Sequence, residues 1–163
     1  MTGPRRLSQA ISEGDGISLI VAVSGPEDAL RAEASGAEAV LAEGDLEAIR
    51  AFCALPILTA DGTGADARLV RPGQEHADRG DGVELVVQVA SEDELEEALE
   101  RLDPELLLLS AADADEPLGH VLELLSDIPA GKLAIADVGP VTQPELEELE
   151  RAGVDAVLVR DRS

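Results

Sequence analysis

Eight short apolar runs recur along the chain, most of them followed by a stretch of helical periodicity, and this alternation constrains the fold more than any other feature. The runs are Ser18–Ser24, Ala39–Ala42, Pro56–Ala60, Ala67–Arg71, Glu84–Ala90, Leu106–Ser110, Lys132–Asp137 and Ala156–Arg160. They are nearly continuous in Ala, Val, Leu and Ile, not alternately polar. A strand buried on one face alternates, whereas a strand covered on both faces reads as an unbroken apolar run. Eight such runs with helices between them predict parallel strands joined by crossover helices.

The punctuation agrees. Gly25-Pro26 closes the first run, and a helix is expected over about residues 27–35, ending at Gly36. Gly44-Asp45 opens a second helix to about Ala54. Ser91 with Glu94, and Thr142 with Glu145, have the spacing of capping boxes. They predict helices from there to about Leu102 and Gly153, with another over about residues 116–126. Residues 61–66 have no helical pattern, and residues 73–82 allow at most a short polar helix.

The expected fold is therefore α/β: a compact (β/α)8 barrel of the TIM type, eight parallel strands with helices missing or reduced after strands 3, 4 and 8. It would be a single domain over residues 1–163, with residues 1–16 as an N-terminal arm and 17–163 as the barrel. Such barrels usually run to about 250 residues, so 163 is short. An open doubly wound sheet is the alternative, but no glycine-rich dinucleotide or phosphate loop supports it. The phrases SGAEAVLAEG and AGVDAVLVRD read as a weak internal repeat of one βα unit.

Composition limits the partners. Thirty-five acids against 12 bases give a formal net charge of −23, which repels nucleic acid and anionic membranes. The acids fall in helical runs such as Ser91–Glu100 and Pro144–Glu150, as expected of a solvated outer face or an adaptation to high salt; a docking face for a basic partner is the other reading. One Phe with no Trp or Tyr leaves an aliphatic core and no stacking platform. The single cysteine, Cys53, forms no intramolecular disulfide and reads as a small core residue. No long apolar segment or signal peptide is visible, so a cytoplasmic protein is expected. His76 and His120 lack metal-ligand spacing and read as surface residues; no cofactor or metal is expected.

Several phrases resemble the indole-3-glycerol phosphate synthase family. Leu55–Asp61 (LPILTAD) is similar to its third strand, Leu85–Leu95 (LVVQVASEDEL) to its fifth strand and helix, and Ala134–Gly139 (AIADVG) to its seventh strand. Ile17–Ser24 occupies the place of the first strand, and residues 5–13 that of a remnant N-terminal helix. The family is a lyase of tryptophan biosynthesis that closes an indole ring using lysines and carboxylates.

The resemblance implies a degenerate site. The family's first-strand lysine and glutamate fall at Ser24 and Ala22, and its third-strand lysine at Ala60, while Asp61 matches the aspartate that follows. A fifth-strand glutamate becomes Gln88, a sixth-strand asparagine falls near Leu109–Ser110, and the seventh-strand glutamate becomes Asp137. Gly139 is kept, and a glycine ending the eighth strand becomes Arg160. Serine, alanine and glutamine do not supply the proton of a general acid near neutral pH. Synthase activity is therefore not expected.

The candidates that remain lie at the C-terminal ends of the strands, where such barrels carry their sites. Asp61 and Asp137 are the catalytic candidates, able as a pair to share a proton or hold a divalent metal; the bland alternative is two surface acids. Ser24, Gln88, Ser110, Gly139 and Arg160 are the ligand or phosphate candidates, with Arg71 as a further guanidinium. Glu43, Ser91, Asp113 and Asp161 complete the polar rim. The expected function is that of a minimal barrel related to the synthase but without its activity, with a small anionic or phosphorylated ligand as possible partner. The alternatives are a repurposed enzyme and an acidic interaction scaffold. A monomer or a weak homodimer is expected, because the missing helix after strand 3 would leave apolar barrel exposed.

Overall fold

The computed structural model describes residues 11, 17–43, 46–52, 55–59, 66–70, 84–101, 106–111, 114–129, 131–138 and 142–160. Eight strands, β1 (Ser18–Val23), β2 (Ala39–Ala42), β3 (Ile57–Thr59), β4 (Ala67–Val70), β5 (Glu84–Val89), β6 (Leu106–Ser110), β7 (Leu133–Asp137) and β8 (Ala156–Arg160), form a closed barrel. Every neighbouring pair is parallel, and β8 closes on β1. Closure rules out the open sheet. Five described helices connect the strands: α1 (Pro26–Ala34), α2 (Leu46–Phe52), α3 (Glu92–Arg101), α4 (Pro117–Leu125) and α5 (Gln143–Ala152). Element boundaries lie within about two residues of expectation, the usual scatter of frayed ends. The connections after β3 and β4 and the end of the chain lie outside the described residues, as do Cys53, His76 and all of the N-terminal arm except Ile11.

Strand pleating sorts the side chains into two compartments. Ile20, Ala22, Ala39, Leu41, Leu58, Ala67, Val86, Leu106, Leu108, Ile135, Ala156 and Leu158 form the interior cluster, with Leu69 and Leu133 packed against it. Their outward neighbours, such as Val40, Ile57, Val87, Leu107, Leu109, Ala136 and Val157, are buried under the helices. This double burial is why the runs lack polar alternation.

Carried once round the barrel, the strand register returns to β1 with a stagger of eight residues. That stagger and the pleat together place inward side chains in tiers contributed by alternate strands. One tier is Ala39, Ala67, Leu106 and Ala156; the next is Ile20, Leu58, Val86 and Ile135; the third is Leu41, Leu69, Leu108 and Leu158. Ala and branched aliphatics suffice for these tiers, so a chain almost without aromatics can fill its barrel.

Two aspartates pin neighbouring strands at the N-terminal ends. Asp66 donates its N–H to the Ile57 carbonyl at 2.8 Å and accepts the Ile57 N–H on its carboxylate at 2.9 Å. Asp155 does the same with Ala134, at 3.0 and 2.9 Å. The same device therefore recurs four strands apart, before β4 and before β8. Asp66 also holds Arg50 of α2 at 3.1 Å.

Helix ends follow local chemistry. Thr142 and Glu145 close a full capping box on α5, and Gly153 at its C-terminal end has φ of +107°. At α3 the Ser91 hydroxyl accepts the Glu94 N–H, but the Glu94 carboxylate takes the N–H of Ala90, one residue before the position expected of a capping box. Thr142→Ala is expected to cost about 1 kcal/mol, read as a lower urea midpoint with an unchanged slope. Gly153→Ala is expected to cost about 1 kcal/mol as well, because the left-handed conformation strains a β-carbon.

No bare apolar face is seen on the described residues of β3 and β4. Ile57 and Val70, which point outward on β3 and β4, are buried, and Leu30 of α1 is the exposed large apolar side chain among the described residues. Among the described residues no helix is long and apolar enough to cross a membrane.

Candidate functional site

The C-terminal end of the barrel turns polar immediately above the third aliphatic tier. Two residues beyond Val86 and Ile135 on the inward face lie Gln88 of β5 and Asp137 of β7, and two beyond Leu108 lies Ser110 of β6. Ser110 is the register partner of Asp137, and Gln88 that of Leu108. The structure thus brings three of the sequence candidates to adjacent strands at one end of the barrel. Ala22 faces inward at the end of β1 on the other side.

Asp137 is the distinctive residue. It is 4% exposed, so the surface-acid reading is corrected: the strand, not a loop, carries this side chain and turns it into the barrel. Its carbonyl accepts the Ala111 N–H at 2.8 Å, which extends the β6–β7 ladder past Ser110. Gln88 and Ser110 are both partly exposed. An amide and a hydroxyl each donate and accept hydrogen bonds, whereas an ionised carboxylate only accepts. The trio therefore suits a ligand rich in hydroxyl or amide N–H groups.

Ser24 lies apart from the trio. It is exposed beyond the end of β1, and both its N–H (3.1 Å) and its hydroxyl (2.8 Å) donate to Asp28 Oδ2. These two bonds, with the ion pair to Arg31, hold the partly exposed Asp28 carboxyl below its ordinary value. A carboxyl depressed in the folded state contributes stability above its unfolded value and loses it as pH falls through the folded one. Asp28→Asn is accordingly expected to flatten the acid limb of the stability curve below about pH 4, measured as urea midpoints across pH.

Arg160 ends β8 in register with Ala22; its side chain, and the whole of Asp61, Gly139, Arg71, Asp113 and Asp161, lie outside the described residues. The proposed Asp61–Asp137 pair is therefore not described. Among the described residues, no three His, Cys, Asp or Glu side chains are placed to hold a metal ion. Glu43 is exposed, with its N–H bonded to the Val23 carbonyl.

His120, expected from the sequence to be a surface residue, is instead partly buried and makes a contact between elements distant in the chain. Half-buried in the first turn of α4, its Nε2 lies 2.7 Å from the Ala90 carbonyl, thirty residues earlier. The contact ties α4, which follows the Ser110 strand, to the turn that follows the Gln88 strand. An isolated histidine at no recognisable spacing gives no such signal. Lys132, the only lysine of the chain, lies just before β7 at the opposite end of the barrel. Strand rise alone puts it about 15 Å from the position of Asp137.

No protein-family model matches the sequence, and no curated protein does. Solved structures do match. One is the N-acetylmannosamine-6-phosphate 2-epimerase from Clostridium perfringens, at a TM-score of 0.75 and 17% identity, covering 98% of this chain and 91% of that one. Identity at that level establishes the shared TIM-barrel fold, not a shared reaction.

Proposed function

We propose that this chain is a minimal TIM barrel that binds a small, polar, phosphorylated ligand at the C-terminal end of its strands, without the ring-closing activity of the indole-3-glycerol phosphate synthases it resembles in sequence. The observation that carries the reading is the buried Asp137 carboxylate, set beside Ser110 and Gln88 above a closed aliphatic core. A few polar groups converging at one end of an otherwise apolar barrel are the usual mark of a ligand site.

In this reading Asp137, Ser110 and Gln88 take the hydroxyl or amide groups of the ligand. The phosphate falls to the sequence candidates Arg160 and Gly139, because a guanidinium and a backbone N–H suit an oxyanion. The chemistry of the synthase is unsupported because the only lysine lies at the other end of the barrel. A repurposed enzyme with Asp137 as base is the second reading. It is favoured by the burial of that carboxylate and by a structural neighbour whose name describes epimerisation of a phosphorylated sugar.

Thermal unfolding with the synthase family's substrate and product and with N-acetylmannosamine 6-phosphate, each against equal inorganic phosphate, tests the proposal. A ligand at a hundredfold excess over its dissociation constant stabilises by about 2.7 kcal/mol, or roughly 5–10 °C for a chain of this size. The expected result is such a rise with at least one phosphorylated compound, lost in Asp137→Asn. No rise with any of them overturns the reading; turnover of a stabilising compound selects the enzyme alternative.

A further inference from the structure

Arg68 lies on the outer face of β4, opposite in direction to its interior neighbours Ala67 and Leu69. Its side-chain Nε is buried and has no hydrogen-bond partner. Removing a guanidinium N–H from water without giving it an acceptor is unfavourable. Thirty-five acids stand in the chain, yet none of the described residues supplies an acceptor to this Nε–H.

The surroundings bear on what the missing acceptor is. Asp66, two residues earlier along the same strand face, is already engaged by the Ile57 N–H and by Arg50 from the last turn of α2. Thr59 of β3 is the register partner of Arg68 and is itself buried. The corner thus brings the Arg50–Asp66 ion pair and the Thr59 side chain to the same outer face as Arg68.

We propose that the outer corner formed by β3, β4 and the end of α2 is an oxyanion site, with Arg68 as its principal donor and phosphate or carboxylate as the ligand class. A guanidinium presents its N–H groups as a planar fork that matches either oxyanion. The site lies outside the barrel wall and is separate from the Asp137 end, so the two proposals stand or fall independently. A carboxylate could come from solution or from an acidic helix on a second copy of the chain; both are the same chemistry at Arg68.

The test is a titration of the full chain, labelled with 15N at arginine, with inorganic phosphate and with acetate against sodium chloride of equal ionic strength. The Arg68 Nε–H resonance is expected to move saturably with phosphate or acetate and not with chloride. The thermal midpoint is expected to rise a few degrees over the chloride control. That increment should vanish in Arg68→Met and persist in Asp137→Asn. An unmoved Arg68 resonance overturns the proposal even if Arg68→Met proves too unstable to study, and so does an increment retained in full by Arg68→Met. Sedimentation in the same buffers separates the sources: a dimer in chloride that phosphate dissociates places a second copy's carboxylate on Arg68, and a monomer throughout places a free anion there.

Discussion

Leu108→Ala is expected to lower the free energy of unfolding by about 3–4 kcal/mol, within the range of large-to-small core substitutions. Leu108 is almost wholly buried in the barrel interior, in the tier it shares with Leu41, Leu69 and Leu158. A closed barrel restrains collapse around a deleted side chain, because every wall strand is hydrogen-bonded on both sides. The cavity term should therefore approach its full value. Domains of this kind have about 5–15 kcal/mol in total, so the variant would lose a large share of its stability while remaining folded at low temperature. The tier also supports Gln88, the register partner of Leu108, so ligand binding should weaken along with stability. Urea unfolding followed by circular dichroism measures the change. A loss below about 1 kcal/mol would show an interior that repacks freely, contrary to the tiered packing.

Asp66→Ala is expected to cost about 2–4 kcal/mol, because it strands the buried Ile57 N–H and removes one ion-pair partner of Arg50. The carboxylate is 4% exposed and the guanidinium 36%, so the ion pair itself is partly screened and the larger share belongs to the orphaned amide. Two controls separate these contributions. Arg50→Ala should cost about 1 kcal/mol, the scale of a partly exposed pair. Asp155→Ala, which removes the same strand clamp without a described ion pair, should cost about 1–3 kcal/mol for its unsatisfied Ala134 N–H. Equal losses for Asp66→Ala and Arg50→Ala would assign the effect to charge pairing and refute the clamp.

The elements of the fold were legible because each follows from a local rule. The helix after Thr142 begins where a hydroxyl and a glutamate three residues later satisfy its first N–H groups, and it ends where Gly153 alone accepts a positive φ without strain. Gln88, Ser110 and Asp137 were legible as a group only through strand ends, and Asp137 was legible as a candidate but not as a buried one. A carboxylate at the end of an apolar run reads equally as the first residue of a solvated loop. Its burial depends on the pleat of β7 and on Ser110 lying opposite it. Ser24 shows the converse: its sequence position gives no sign that its hydroxyl bonds Asp28 four residues later.

By itself, the sequence determined eight doubly buried strands, their crossover helices, an aliphatic interior and the absence of lysine chemistry from the C-terminal end, because these depend on residue type, period and order along the chain. Closure, the eight-residue stagger, the inward turn of Asp137, the His120 contact with Ala90 and the isolation of Arg68 on the outer wall were decided only in the tertiary structure. Each of these depends on the register between strands distant in sequence, and a shift of one residue would turn every side chain concerned to the opposite face.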